Sequence, residues 1–91
     1  EGGYRREWDV MAVVEDCRDG FIYCEQRNKF FKGDTLESLE PGKKPQSFVV
    51  TELFDENGEP IDSTPRAMMK FKIRSDLKFV PRTILRKQNI K

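Results

Sequence analysis

The sequence predicts an all-β fold, a small closed or nearly closed antiparallel β-barrel of about six strands. Three observations carry this. β-branched and aromatic runs recur along the chain, and turn signals separate them at intervals of roughly 8–12 residues. Helical periodicity is absent apart from a single turn near Leu77. Closure is expected because an open sheet of this size would leave long unpaired edges. At 91 residues the chain is one small domain with a core of modest size.

The elements follow in order. Trp8 to Glu15, "WDVMAVVE", has enough β-branched and aromatic character for a strand buried on both faces or nearly so. The turn-like "DCRDG" comes next, and Asp19-Gly20 is the hairpin signal, because such turns need positive φ and glycine tolerates it. "FIYCEQ" returns as the second strand. Alternation then stops at Glu25-Gln26-Arg27-Asn28-Lys29, and the chain passes two phenylalanines and turns through Gly33-Asp34.

"TLESLE" and the loop "PGKKPQ" lead to "SFVVTELF", which reads as one strand, and "DENGEP" is a turn built on Asn57-Gly58. In "RAMMKFKI", Met69, Phe71 and Ile73 alternate with Met68, Lys70 and Lys72, the pattern of a half-buried strand. "SDLKFVPRTILRK" bends at Val80-Pro81 and ends in a last short strand. The expected interior holds Val10 or Ala12 together with Val14, Ile22, Cys24, Leu36, Val50, Met69, Phe71 and Ile73. Phe30 is the expected plug.

A net charge of +1 conceals a strong asymmetry. Residues 66–91 hold nine of the 17 basic residues and one acid, a net of +8, which leaves −7 for residues 1–65. Such segregation suits either pairing of basic with acidic strands inside the fold or a basic face turned to an anionic partner. The candidate basic surface is Lys70, Lys72, Arg82, Arg86 and Lys87.

Several function classes find no support. No apolar run approaches the roughly 20 residues of a membrane helix, and no signal-peptide pattern is present. There is no histidine to act as a base, no nucleophile elbow and no phosphate-binding glycine loop. Cys17 in its turn and Cys24 down the following strand do not have metal-ligand spacing, and are expected to lie too far apart to bridge. No metal or cofactor is therefore expected, and two unpaired thiols favour a reducing, cytosolic setting. The acids Asp55, Glu56, Glu59 and Asp62 flank a turn and read as solvated.

The polar corner holds more promise. Arg27, Lys29 and Lys32 can meet phosphates or carboxylates, Asn28 can read base edges, and an exposed Phe31 can stack. The same residues also suit a structural corner, where Gln26 and Asn28 bond backbone groups left over as strand pairing ends.

These residues, with Gly33-Asp34 behind them, "DENGEPI", "TPRAMMKFKI" and the terminal "TILRK", resemble the C-terminal domain of the U32 peptidase family, the collagenase-like proteases. The likeness runs from about Tyr4 to Lys87, and its most specific part is Glu25-Gln26-Arg27-Asn28-x-Phe30. Two departures stand out: Thr64-Pro65 replaces the family's usual His-Pro, and Cys24 replaces an aliphatic residue.

The resemblance implies a barrel similar to translation-factor accessory barrels, appended to a catalytic domain that carries the family's catalytic signature. Residues 1–7 are then expected to be a linker from that upstream domain, 8–87 the barrel and 88–91 a tail; the start at Glu1-Gly2-Gly3 suits a piece of a longer chain. The expected role is non-catalytic: positioning a macromolecular substrate or packing on the catalytic domain. The substrate would be protein if the peptidase label holds, or RNA if the family's RNA-hydroxylating relatives are the better guide. The corner residues Arg27, Asn28, Lys29, Phe31 and Lys32 are the docking candidates in either case.

Overall fold

The computed structural model describes residues 6–90. Seven strands form one antiparallel sheet: β1 (Arg6–Arg18), β2 (Phe21–Gln26), β3 (Thr35–Leu39), β4 (Gln46–Val49), β5 (Leu53–Asp55), β6 (Lys70–Arg74) and β7 (Ile84–Ile90). Their order is β4-β3-β7-β1-β2-β6-β5. The sheet curls into a half-barrel, and connectivity requires it. β4 and β5 are opposite edges of the order, yet only Val50, Thr51 and Glu52 separate them in the chain. Four residue steps span at most about 14 Å, whereas the edges of a flat seven-stranded sheet would lie roughly 29 Å apart.

"SFVVTELF" is therefore two short strands at opposite edges, which raises the count from about six to seven. Most of its residues are β-formers and no glycine or proline interrupts them, so no turn signal marks the break. Irregular backbone fills the remaining gap. Ile61 N donates to Leu53 O at 2.9 Å, Lys32 N to Asp62 O at 2.8 Å, and Gly33 N to Val50 O at 2.7 Å.

β1 and β2 form a two-residue hairpin in which Arg18 pairs Phe21. Asp19 and Gly20 have φ of 55° and 80°, the paired positive values of a type I′ turn. Cys17 lies in β1 opposite Ile22 rather than in the turn. Two bulges interrupt β1. Met11 is the extra residue between the Val10–Arg86 and Ala12–Leu85 pairs, and Glu15 the extra residue between the Val14–Cys24 and Asp16–Tyr23 pairs. A bulge leaves one residue unpaired and bends its strand. The first turns Val10 outward while Met11 and Ala12 both go in. β1 is thus double-sided only at its centre.

The interior holds Ala12, Val14, Ile22, Cys24, Leu36, Val50, Phe71 and Ile73, as expected, and Met69 packs half-buried against them. Met11, Leu53, Phe79 and Leu85 complete it. Phe30 is fully buried and meets Phe71 edge-on at 5.4 Å. Thr64 lies beneath it, and its hydroxyl accepts the Phe30 N–H at 3.1 Å. Met68 precedes β6 in a turn with φ of 64°, rather than lying in the strand. β7 pairs with β1 as far as Arg6–Ile90.

Candidate docking groove

The corner after β2 is built around the first bulge. Arg27 N and Asn28 N both donate to Met11 O, at 2.8 and 3.2 Å. The Asn28 side chain donates to Val10 O at 2.7 Å. Asn28 therefore clasps the bulge. The Arg27 guanidinium bonds Glu25 at 2.6 Å and contacts the Met68 sulfur at 3.4 Å. Past the buried Phe30, Phe31 is 49% exposed, with the Lys29 ammonium 5.2 Å from its ring centre. Lys32 is exposed as well. The first part of the polar run thus supports the corner, and the second part faces solvent.

The second bulge aims Glu15 away from the ladder. Its carboxylate bonds Lys70, which also lies 3.3 Å from Glu25. Glu15, Lys70, Glu25 and Arg27 form a continuous ion network over β1, β2 and β6. Hydrogen bonds from Arg27, and next from Lys70, hold the Glu25 carboxyl below its ordinary range. The hydrogen bonds that Lys70 donates to Glu15, and next to Glu25, raise its own pKa. Burial pushes the Cys24 thiol up, as suits a core residue.

Beside the network runs an open groove of about 520 Å³, lined by Val13, Glu15, Glu25, Arg27, Pro81, Arg82 and Ile84 among others. Val13 and Ile84 pair across β1 and β7 and give it an apolar floor. Arg27 and Arg82, distant in sequence, share its rim.

The remaining basic residues do not join one face. Arg86 bonds Glu37 at 2.8 Å and lies 3.9 Å from the Trp8 ring centre, and Lys87 lies 3.1 Å from Asp34. Lys72 rests 4.4 Å from the Phe21 ring centre on the outer face of β2 and β6. Among the described residues, Lys70, Arg86 and Lys87, three of the nine basic residues of the +8 segment, are thus paired with acids from the earlier part of the chain. Glu15, Glu25, Val13 and Ile84 escaped the sequence reading. Alternation in "FIYCEQ" does turn Glu25 outward with Phe21 and Tyr23, but Glu15 owes its direction to a bulge.

The fold is thus that of a small curled antiparallel half-barrel domain with an open, charge-rimmed groove. The family described as Peptidase family U32 C-terminal domain matches residues 6–86, and the chain belongs to that family. Two solved structures of the C-terminal domain of a Geobacillus thermoleovorans protein assigned to the U32 peptidases share the fold. One, a selenomethionine variant, is 23% identical with a TM-score of 0.81, covering 87% of this chain and 99% of the other. The second is 20% identical with a TM-score of 0.80, covering 89% and 92%. No curated protein matches the chain.

Proposed function

We propose that this domain is the non-catalytic accessory part of a U32 peptidase-like enzyme, and that its groove docks a polypeptide substrate for the catalytic domain. The groove itself carries the reading. An apolar floor at Val13 and Ile84 beside both acidic and basic rim groups suits the mixed chemistry of a polypeptide. A phosphate backbone would instead meet Glu15 and Glu25 at the rim. No nucleophile–base pair is encoded that would let the domain cut what it holds.

The test combines binding with cleavage. Labelled gelatin or casein fragments should bind the 91-residue protein and remain intact. Val13→Asp should abolish binding with little change in melting temperature. Proteolysis by pure protein, lost on mutating one of its own residues, would overturn the accessory role. Binding of single-stranded RNA in preference to polypeptide would support instead an RNA-binding barrel.

A further inference from the structure

We infer that the groove selects an extended polypeptide bearing a carboxylate beside an apolar side chain, with Arg82 as the counter-ion; this deepens, and rests on, the docking role proposed above. Charge bookkeeping over the groove and the ion network beside it carries the argument. Glu15 and Glu25 are matched by Lys70 and Arg27 in the ion network, so those four charges cancel. Arg82 has no carboxylate partner among the described residues, so with Lys70 and Arg27 already matched to Glu15 and Glu25 its charge is the one left over at the groove.

The backbone that carries Arg82 is also fixed in place. Its N–H donates to Val14 O at 2.7 Å, and the buried Thr83 hydroxyl donates to Val80 O at 2.7 Å. Its φ is 78°, a conformation that disfavours any residue with a Cβ. Strained backbone at a groove rim is a pointer to function rather than to stability. The apolar floor is adjacent, since Ile84 lies two residues on and Pro81 one before. A ligand side chain seated on Val13 and Ile84 would therefore hold its neighbouring carboxylate within reach of the guanidinium. A single free cation suits a single carboxylate; a polyanion would need several.

Three short blocked peptides test this, each with a central leucine in a Gly/Ser frame, followed by Glu, Gln or Lys. Fluorescence anisotropy should show the Glu peptide binding roughly tenfold tighter than the Gln peptide, because charge-assisted hydrogen bonds are about twice as strong as neutral ones. The Lys peptide should bind weakest. Arg82→Gln should bring the Glu/Gln ratio to about one, and Arg82→Lys should keep part of it. Arg82→Gly should lose the ratio while raising the melting temperature, an outcome that a purely structural role for Arg82 would not give.

Equal affinity of the wild type for Glu and Gln peptides, or a ratio that survives Arg82→Gln, would overturn the selectivity and leave the docking role standing. Binding of none of the peptides, or a preference for oligouridylate, would overturn both.

Discussion

Glu15 and Lys70, 55 positions apart, bond across the intervening strand β2. The contact exists because Glu15 is the extra residue of a bulge, freed from the ladder that holds its neighbours. Lys70 lies directly opposite Glu25 on the adjacent strand. One ammonium thus ties three strands together at the groove wall. Such partly exposed pairs contribute little individually, so the network's main effect is to fix the groove's shape and cancel its charge.

Acid titration should expose the network. The Glu25 carboxyl is held below its ordinary value of 4.5 by Arg27 and Lys70. A carboxylate with a depressed folded pKa stabilises the fold above its unfolded pKa, and that contribution is lost as pH falls through the folded value. Glu25→Gln should therefore shrink the drop in denaturation midpoint between about pH 6 and about pH 3. Parallel pH profiles for the two proteins would contradict this. At the alkaline end the sign reverses: Lys70's contribution is present below 10.5 and is lost as pH rises through its raised folded value.

The core prediction concerns Phe71, which is 2% exposed and packed edge-on against Phe30. Phe71→Ala should cost about 3–5 kcal/mol in urea unfolding, a large share of the stability of so small a domain. A loss under about 1 kcal/mol would mean that β6 presents its other face to the interior.

Phe71 also shows which features the sequence discloses. Its strand alternates cleanly, so both register and interior face could be read from "MKFKI" alone. The Asp19-Gly20 and Asn57-Gly58 turns were equally legible, because Asp19, Gly20 and Gly58 adopt the positive φ that such turns require. The break in "SFVVTELF" was not, since it is set by where β3 and β6 lie, and no local residue signals it. The groove was hidden for the same reason. Arg27 and Arg82 were visible as cations, but only the bulge at Glu15 and the pairing of β1 with β7 bring them to one rim. Asn28 could be read either as a ligand contact or as a backbone clasp, and the Met11 bulge is what makes it a clasp.

Thr64 provides a test of the corner's foundation. Its hydroxyl is the acceptor for the buried Phe30 N–H, and the residue is fully buried. Thr64→Val keeps the shape but leaves that donor without a partner, at an expected cost of about 1–3 kcal/mol. Thr64→Ser keeps the oxygen and should cost less. Equal losses in the two variants would mean that packing of the methyl group, rather than the hydrogen bond, is what holds Phe30.

RNA affinity is the last quantity that the charge layout constrains. Lys70, Arg86 and Lys87 are committed to carboxylates, and Lys72 shares its surroundings with Asp55 and Glu56. Lys72 and Arg74, stacked over Phe21, remain uncommitted on the outer face of β6. Each phosphate contact to a single strand contributes about −0.7 to the slope of log affinity against log salt. Two such contacts, supplied by this face alone, give a slope of about −1.4. Titration of labelled single-stranded RNA at two salt concentrations measures the slope directly. A value near −3 or beyond would mean that cations outside this face, such as Lys29, Lys32 or Arg82, also meet phosphates, and Lys72→Ala and Arg74→Ala would then show how much this face supplies.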